Sequence, residues 1–482
     1  MTKETDKPEI DVLNVGLFGI GLETYWPQFE GLKERLEDYQ EQIAKYIPVF
    51  DNVNLVDVGL VDNPKRAAAV GALFRRKQVD IIFLYISTYA LSSTVLPVAR
   101  ETGVSIVVLN IQPVPAIDYG SFNALGDRGK MTGEWLAHCQ ACCVPEIANA
   151  FNRANIDYHL LTGYLGEKRT EKLIAEWVLA AKVAKTLRQN RLGVMGHYYG
   201  GMLDVYTDIT RQIATFGGHV ELIEIDELAE LRAAVTDKEI NAKVTEFHSI
   251  FVVSPKCEKE EIDRAAKTSV ALDKLVAKHQ LGSLAYYYEG TRGSEHENII
   301  SSVIAGNTML TGRHVPVSGE YEIKNAQAMK ILDGFGAGGS FSEFYAMDFN
   351  DDIVMLGHDG PAHFAIAEGE IKLVPLPTYH GKPGRGLSIQ MTVKHGPVTL
   401  LSVCESRCGV FLLVAEGESV PGPVLDIGNT NSRYRFSISA RTFIENWSKA
   451  GPPHHCAIGI EHIADAIEKF GKLTKVPVRR IC

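Results

Sequence analysis

Residues 79–112, VDIIFLYISTYALSSTVLPVARETGVSIVVLNIQ, carry the pattern that decides the fold class. Two nearly continuous apolar runs, at 79–87 and 104–112, flank a stretch at 91–102 that has helical character. Strands that are apolar at every position, rather than at alternate positions, are typical of parallel sheets covered by helices on both faces. The segment therefore predicts a strand–helix–strand unit of a parallel α/β sheet.

The same alternation extends in both directions from this segment. Towards the N-terminus, apolar runs at 14–21 and 54–61 alternate with predicted helices at 27–47 and 64–77. From residue 167 a long predicted helix opens a second series. In this series we predict a second open sheet, whose strands occupy four apolar runs: 191–196, 219–225, 248–254 and 283–289.

After about residue 315 the pattern changes to short, evenly spaced strands with Gly and Pro at their turns, which predicts an antiparallel barrel or sandwich. The predicted strands are 352–358, 363–369, 371–377, 388–396, 398–405 and 409–417, between helices at 322–332 and 462–473. We therefore expect three domains: an N-terminal α/β domain (1–166), a central α/β domain (167–316) and a β-rich C-terminal domain (317–482).

The composition places the chain among ordinary globular proteins. Of 482 residues, 45% are hydrophobic and 22% are charged. A net charge of −10 argues against a surface for nucleic acid or an anionic membrane. The first residues, MTKETDKPEI, lack the apolar segment of a signal peptide, and no apolar stretch reaches the ~18 residues of a membrane span. We expect a soluble, cytoplasmic protein.

The eight cysteines are sparse and irregularly spaced, which is typical of a reducing compartment. Cys139, Cys142 and Cys143 form the one cluster, whose spacing allows a zinc or redox site. No second C-x-x-C pair accompanies it, and free cysteine is among the most buried residue types. The pattern therefore favours buried cysteines in a helical segment, with the metal or redox site as the alternative.

Two glycine-rich segments call for different interpretations. Gly334, Gly336 and Gly339 have G-x-G-x-x-G spacing, but they follow a predicted helix and precede a strand, the reverse of a dinucleotide-binding motif. They predict a turn. GHYYGG (196–201), which contains Tyr199, joins a predicted strand to a helix, so it is either a substrate loop at a strand's carboxyl end or an ordinary turn.

Carboxylates and histidines cluster around the predicted C-terminal domain. Glu320 and Glu322 precede a helix, Glu343 follows, His358 ends a strand, and the pair His454-His455 comes much later. Two carboxylates and two imidazoles suit a borderline divalent ion such as Mn²⁺, and a site with open positions performs Lewis-acid chemistry. Taken singly, each residue is better explained as a helix cap, an ion-pair partner or a core histidine than as a metal ligand.

The order of these residues resembles the L-arabinose isomerase family, within a wider L-fucose/L-arabinose isomerase group. The resemblance rests on GEYEIK (319–324), FSEF (341–344), LGH (356–358) and PPHHCAIG (452–459). It implies two Rossmann-like α/β domains followed by the β-rich domain. It further implies a divalent metal, most often Mn²⁺ with Co²⁺ or Mg²⁺ as alternatives.

The implied metal ligands are Glu320 (or its near neighbour Glu322), Glu343, His358 and His455, and the two glutamates also serve as acid and base. The implied activity is aldose–ketose isomerisation of a pentose or 6-deoxyhexose through an enediol. A non-catalytic sugar-binding or regulatory protein and a metal-assisted sugar epimerase are the alternatives. The resemblance also implies a homo-oligomer, a trimer or hexamer, with active sites at subunit interfaces.

The N-terminal third departs from the family at the sugar-binding positions. In IGLETYW (20–26), Glu23 stands at a glutamine position, and Trp26 belongs to an aromatic turn. In DYGSFNALGDRG (118–129), Asp127 stands where a histidine is expected. The predicted substrate-binding set is thus Glu23, Trp26, Asp127, Tyr199 and His454. Because two positions have become acidic, L-arabinose is only one candidate substrate.

Overall fold

The structure is a computed structural model that describes residues 12–47, 52–379, 382–383 and 385–482. The described chain divides into two compact units, residues 12–185 and 186–482. The division into three domains, with boundaries after residues 166 and 316, stays a prediction. Within the described ranges, no helix combines the length and apolar character needed to cross a membrane.

Residues 12–185 form a five-stranded parallel sheet in the order β2-β1-β3-β4-β5. Its strands are β1 (Leu13–Ile20), β2 (Val53–Val61), β3 (Ile81–Tyr85), β4 (Ile106–Gln112) and β5 (Tyr158–Tyr164). The helices are α1 (Leu32–Ala44), α2 (Pro64–Arg76), α3 (Leu96–Thr102), α4 (Tyr119–Ala124), α5 (Arg128–Leu136), α6 (Val144–Ala154) and α7 (Lys168–Gln189), the last of which contains the unit boundary. All residues of β3 are buried, so the central prediction of a parallel α/β sheet is confirmed.

Helix boundaries in this unit follow local backbone chemistry. Helix α2 begins at Pro64, and the Asn63 side chain accepts a hydrogen bond from the backbone N–H of Arg66, which caps the helix. Helix α1 begins later than predicted, at Leu32. Gly31, with φ of 76°, precedes it in the left-handed region that glycine tolerates.

Residues 186–482 contain a second parallel sheet, in the order β10-β9-β6-β7. Its strands are β6 (Arg191–Gly196), β7 (His219–Ile223), β9 (Ser283–Tyr287) and β10 (Val317–Ser318). The helices of this region are α8 (Ile209–Phe216), α9 (Ile225–Ala233), α10 (Asp237–Ile250), α11 (Lys259–His279), α12 (Glu295–Ile300), α13 (Ile304–Thr311) and α14 (Ile323–Gly334).

The predicted strand at 248–254 is wrong as a member of this sheet. A capping box between Thr236 and Glu239 starts α10, which runs on to Ile250. Within 248–254 the strand is limited to β8 (Val252–Val253), which pairs with β13 (Lys372–Pro375) in a separate sheet that also contains β16 (Leu387–Gln390). A short apolar run does not distinguish a buried strand from the end of a helix, which explains the error.

The β-rich region is a closed antiparallel barrel of six strands in the order β17-β20-β11-β12-β19-β18, closed by pairing of β18 with β17. Its strands are β11 (Gly338–Asp348), β12 (Ile353–His358), β17 (Gly396–Ser406), β18 (Gly409–Ser419), β19 (Thr430–Phe436) and β20 (His455–Ile460); β21 (Val478–Arg480) adds to β18 in parallel. This region also contains helices α15 (Ala440–Ala450) and α16 (Ala464–Thr474). Strand β14 (Thr378–Tyr379) pairs with β15 (Lys382–Pro383) in a separate two-stranded sheet. The predicted fold class, two parallel-sheet regions followed by a barrel-like domain, is confirmed.

Two local predictions in this region have opposite outcomes. The strand predicted at 363–369 is wrong, because Phe364–Ile366 form a 3-10 turn instead. The glycine-rich segment between α14 and β11 is a turn, as predicted; Gly336 adopts φ of 78° there, and Gly339, at the irregular start of β11, adopts φ of 123°.

The cysteine cluster also differs from expectation. Cys139 and Cys142 form a disulfide, because the turn after α5 brings their Cα atoms to 5.4 Å. Cys143 is a free, buried cysteine whose thiol donates to the Thr88 carbonyl at 3.6 Å. Cys139 and Cys143 are buried as predicted, whereas Cys142 is exposed, and only Cys143 of the three is free.

An aromatic cluster fixes β11 against the interior of the C-terminal region. Phe443 on α15 stacks on Phe436 with ring centroids 3.6 Å apart, and Trp447 lies beside it. Phe344 on β11 meets both Phe443 and Trp447 edge-on. This packing anchors the strand that also carries Glu343.

Phe443 is fully buried. Its replacement with alanine is expected to lower the free energy of unfolding by about 3–5 kcal/mol, because the substitution leaves a cavity and the surrounding residues lose their contacts with the ring. Phe349→Ala is the control, since that side chain is 57% exposed. Denaturant titration of both variants measures the difference. Equal midpoints for the two would contradict the central position of Phe443.

Candidate active site

The register of the barrel places three candidate side chains together. Glu343 on β11 pairs with His455 on β20 on one side and with Gly357 on β12 on the other. His358 follows Gly357 directly. Residues far apart in sequence thus meet across three neighbouring strands.

Glu320 reaches the same place from a tight turn between β10 and α14. Glu320 and Tyr321 both adopt left-handed backbone conformations, with φ of 57° and 59°. Such conformations cost a non-glycine residue roughly 1–3 kcal/mol each, and they persist where surrounding contacts enforce them. Here the Tyr321 N–H donates to the Tyr286 carbonyl, and the Glu322 N–H to the Gly319 carbonyl, each at 3.0 Å.

These residues form two overlapping triads that share His455. One is Glu320, His454 and His455, and the other is Glu343, His358 and His455. Within each triad the candidate ligand atoms lie within 4.8 Å of one another. This spacing is close to the ~4.4 Å between donors on opposite sides of one ion when bond lengths are about 2.2 Å.

Two buried polar atoms of the site lack hydrogen-bond partners among the described residues, as the free ligand atoms of a metal site would. Glu320 Oε2 and His455 Nε2 lie 3.3 Å apart, and neither forms a hydrogen bond with any described residue. Buried polar atoms are almost always hydrogen-bonded, and a bound cation would satisfy this facing pair. A donor set of carboxylates and imidazoles is chemically able to hold a divalent ion.

A buried carboxylate orients His455. Its Nδ1 contacts Glu322 Oε2, and both side chains are fully buried. Because a carboxylate only accepts, the ring must donate from Nδ1, which leaves the Nε2 lone pair facing Glu320. The two neighbouring glutamates therefore have different positions: Glu320 faces Nε2, and Glu322 holds Nδ1.

His358 is placed by the packing of Phe341, whose ring lies 4.2 Å from that of His358 and 4.4 Å from that of His455. The Gly360 N–H donates to His358 Nδ1 at 2.8 Å. The neutral ring then carries its proton on Nε2.

His454 lies at the open side of the group. Asp204 Oδ2 accepts hydrogen bonds from its backbone N–H at 3.0 Å and from its Nδ1 at 2.6 Å. Its Nε2 lies 3.6 Å from Glu320 Oε2 and 4.0 Å from Glu343 Oε2. The ring therefore faces both candidate catalytic carboxylates.

The surroundings of Glu320 and Glu343 shift the pKa values of the two carboxyl groups in opposite directions. Burial raises the pKa of Glu320, but the rings of His454, His455 and His358 outweigh it, so the pKa lies below its usual value. Burial raises the pKa of Glu343, and Glu320 adds to the increase, so that this pKa lies above its usual value. Burial lowers the pKa of His454, but Glu320 and Asp204 raise it to about 9.

The predicted substrate residues in the N-terminal unit have structural partners of their own. Glu23 is exposed and accepts a hydrogen bond from Asn63 at 3.2 Å. Trp26 donates from Nε1 to Asp62 Oδ2 at 2.8 Å. Asp127 is the N-cap of α5, where it accepts from the Lys130 N–H at 2.8 Å. Substrate contact by these three residues stays a prediction.

Tyr199, the remaining predicted substrate residue, packs its ring against Tyr287 at 4.8 Å. The loop that carries it, 196–201, follows the carboxyl end of β6, where ligands bind in open α/β sheets. Sequence reasoning missed Asp204 and the orienting role of Glu322. Asp204 lies in a loop without periodicity, so only its acidity marked it.

Comparisons with known proteins agree with this site. A family model described as the L-arabinose isomerase C-terminal domain matches residues 338–477. The L-arabinose isomerase of Mycolicibacterium smegmatis is 22% identical over 345 residues, which cover 68% of this chain and 67% of that protein.

Two further relatives show similar coverage. The L-arabinose isomerase of Bacillus subtilis is 20% identical over 339 residues, covering 67% of each chain. The sulfoquinovose isomerase of Alkalicoccus urumqiensis is 21% identical over 326 residues, covering 67% of this chain and 72% of that protein. The chain thus aligns with about two thirds of the length of the L-arabinose isomerases it matches.

The resemblance read from the sequence is confirmed by the matched domain and by the matched relatives. The matched domain contains Glu343, His358 and His455. The chain is therefore similar to the L-arabinose isomerases, over the matched C-terminal domain and over about two thirds of its length.

Proposed function

We propose that this chain is a metal-dependent aldose–ketose isomerase that acts on a pentose or a 6-deoxyhexose. The observation that carries the proposal is the convergence of Glu320, Glu343, His358 and His455, with two buried acceptor atoms facing each other. A sugar-binding protein has no use for such a cluster of acid–base groups, which disfavours the non-catalytic alternative.

Glu320, Glu343, His358 and His455 would hold one divalent ion, with Mn²⁺ suiting the donor set best and Co²⁺ or Mg²⁺ as alternatives. Such an ion supplies Lewis-acid polarisation of the sugar oxygens, which makes the proton on the neighbouring carbon more acidic. Glu322 contributes by keeping the His455 lone pair directed at the same point.

The two glutamates supply the proton transfers. One carboxylate takes the proton from C2 of the aldose, which gives an enediol, and then returns a proton to C1, which gives the ketose. A second proton moves from the C2 oxygen to the C1 oxygen, so the atoms of the sugar are conserved. Glu343 and Glu320 are suited to hold these protons, because they flank the same space from opposite elements, β11 and the turn before α14.

The substrate and the assembly belong to the same proposal. Glu23, Trp26, Asp127, Tyr199 and His454 would contact the sugar, and the acidic residues Glu23 and Asp127 would accept hydrogen bonds from its hydroxyl groups. The protein would work in the cytoplasm as a homo-oligomer, a trimer or hexamer with sites at subunit interfaces. The relatives support more than one sugar, since both L-arabinose and sulfoquinovose isomerases are among them.

A panel of aldoses and ketoses, incubated with Mn²⁺-loaded protein, tests the proposal. We expect interconversion of an aldose and its ketose, with a substrate other than L-arabinose giving the highest kcat/KM. The control is the same protein after chelation, which should lose the activity. Interconversion of two aldoses without a ketose would instead assign an epimerase, and binding without conversion a sugar-binding protein.

Glu343→Gln is expected to lower kcat by at least ~10²-fold, because the amide cannot exchange a proton. Glu445→Gln on α15 is the matched control, since Glu445 is an exposed glutamate of the same domain. Both kcat and the metal content per chain should be measured on each variant. Near-normal turnover of a metal-loaded Glu343→Gln variant would show that the acid–base role lies elsewhere.

Glu322→Gln is expected to weaken divalent metal binding by roughly 10–100-fold, because it removes the charge behind His455 while it keeps the shape. Isothermal titration with Mn²⁺ measures the affinity without reference to any sugar. Glu405→Gln serves as a control for a partly buried glutamate of the same unit. An unchanged affinity would contradict the orienting role of Glu322.

A further inference from the structure

A buried lysine anchors the loop behind His454. Lys324 lies at the start of α14 and is 2% exposed. Its Nζ donates to the backbone carbonyls of Asp204 and Tyr206, the latter at 3.2 Å. Hydrogen bonds from a charged donor are about twice as strong as neutral ones, and a buried charge is costly unless it is satisfied. The loop therefore has a fixed attachment to the helix that follows Glu320.

Aromatic contacts hold the same loop from its other side. The ring of Tyr198 lies 4.8 Å from those of Tyr206 and Tyr321. The Tyr198 hydroxyl donates to the Thr207 carbonyl at 3.2 Å. Although Asp204 itself is largely exposed, the backbone around it is thus attached at several points.

The fixed loop determines the orientation of His454. Asp204 uses one oxygen to accept from both the backbone and the ring of His454. This leaves one ring orientation, in which Nε2 faces Glu320 and Glu343. A contact that is misplaced by about 1 Å can cost ~10²-fold in rate, so the orientation matters for any substrate bound there.

We propose that Asp204 and Lys324 are positioning residues for the reaction. Lys324 holds the backbone of the 204–206 loop, Asp204 holds the His454 ring, and the ring presents Nε2 to a hydroxyl group of the sugar beside the two glutamates. This inference rests on the proposed function for the sugar, but the orientation of His454 does not depend on which reaction occurs.

A double-mutant cycle tests the action of Asp204 through His454. Asp204→Ala should lower kcat by roughly 10–100-fold, as loss of an orienting partner does, with the metal content per chain unchanged. In a His454→Ala background the same change should have almost no further effect, because the ring it orients is gone. Additive losses would overturn the proposal.

Two further variants separate positioning from general stability. Asp208→Ala, four residues along the loop, removes the N-cap of α8 but does not touch His454, so turnover should stay near normal while the melting temperature falls. Lys324→Met should lower kcat, and Lys324→Arg should restore part of it because a cationic donor remains. Equal turnover of Lys324→Met and the wild type would overturn the role of the lysine.

A spectroscopic measurement tests the orientation of the His454 ring without any measurement of enzyme activity. In Mg²⁺-loaded protein labelled with ¹⁵N-histidine, His454 should show a hydrogen-bonded Nδ1 proton, identified by its loss in His454→Ala. The signal should also vanish in Asp204→Ala and persist in Asp208→Ala. If it persists in Asp204→Ala, the proposal is wrong. If it behaves as expected while no sugar is converted, only the proposed function fails.

Discussion

The contact between Glu322 and His455 is the constraint on which the rest of the site depends. Both side chains are fully buried, and they join the turn before α14 to strand β20 of the barrel. A charge taken out of water needs a partner, and removal of one partner from a buried pair is strongly destabilising. The pair therefore fixes where the strained turn meets the barrel, and thereby places Glu320 opposite the His455 lone pair.

Much of the fold can be predicted from the sequence because its signals are local. Buried parallel strands such as β3 and β4 are continuous apolar runs, and the glycine-rich turn before β11 is marked by composition. The pairing of β20 with β11 and β17 in the barrel, and the pairing of β8 with β13, depend on contacts between distant or very short segments. The strand wrongly placed at 363–369 lies where the chain has apolar residues but turns instead.

The candidate site was predictable in part for a similar reason. Glu320, Glu343, His358 and His455 could be proposed only as a set in order along the chain, since spacing does not bring them together. Glu320 faces Nε2 of the His455 ring and Glu322 contacts Nδ1. This difference between two neighbouring glutamates appears only in the three-dimensional structure. The acidity of Asp204 was its only sequence signal, and a single acidic residue in a loop is too commonplace to indicate a site. The matched family domain begins after Glu320, so the site combines residues from inside and outside it.

The left-handed pair at Glu320 and Tyr321 links the site to the margin of stability of the whole chain. Each of these residues costs roughly 1–3 kcal/mol of folding free energy. Together they offset a large share of the ~5–15 kcal/mol free energy of unfolding that is typical of a folded protein. Substitutions that relax this turn are therefore a direct route to a more heat-resistant protein. They are also the changes that free the Glu320 carboxylate to move, so selection for thermostability at this turn opposes selection for turnover.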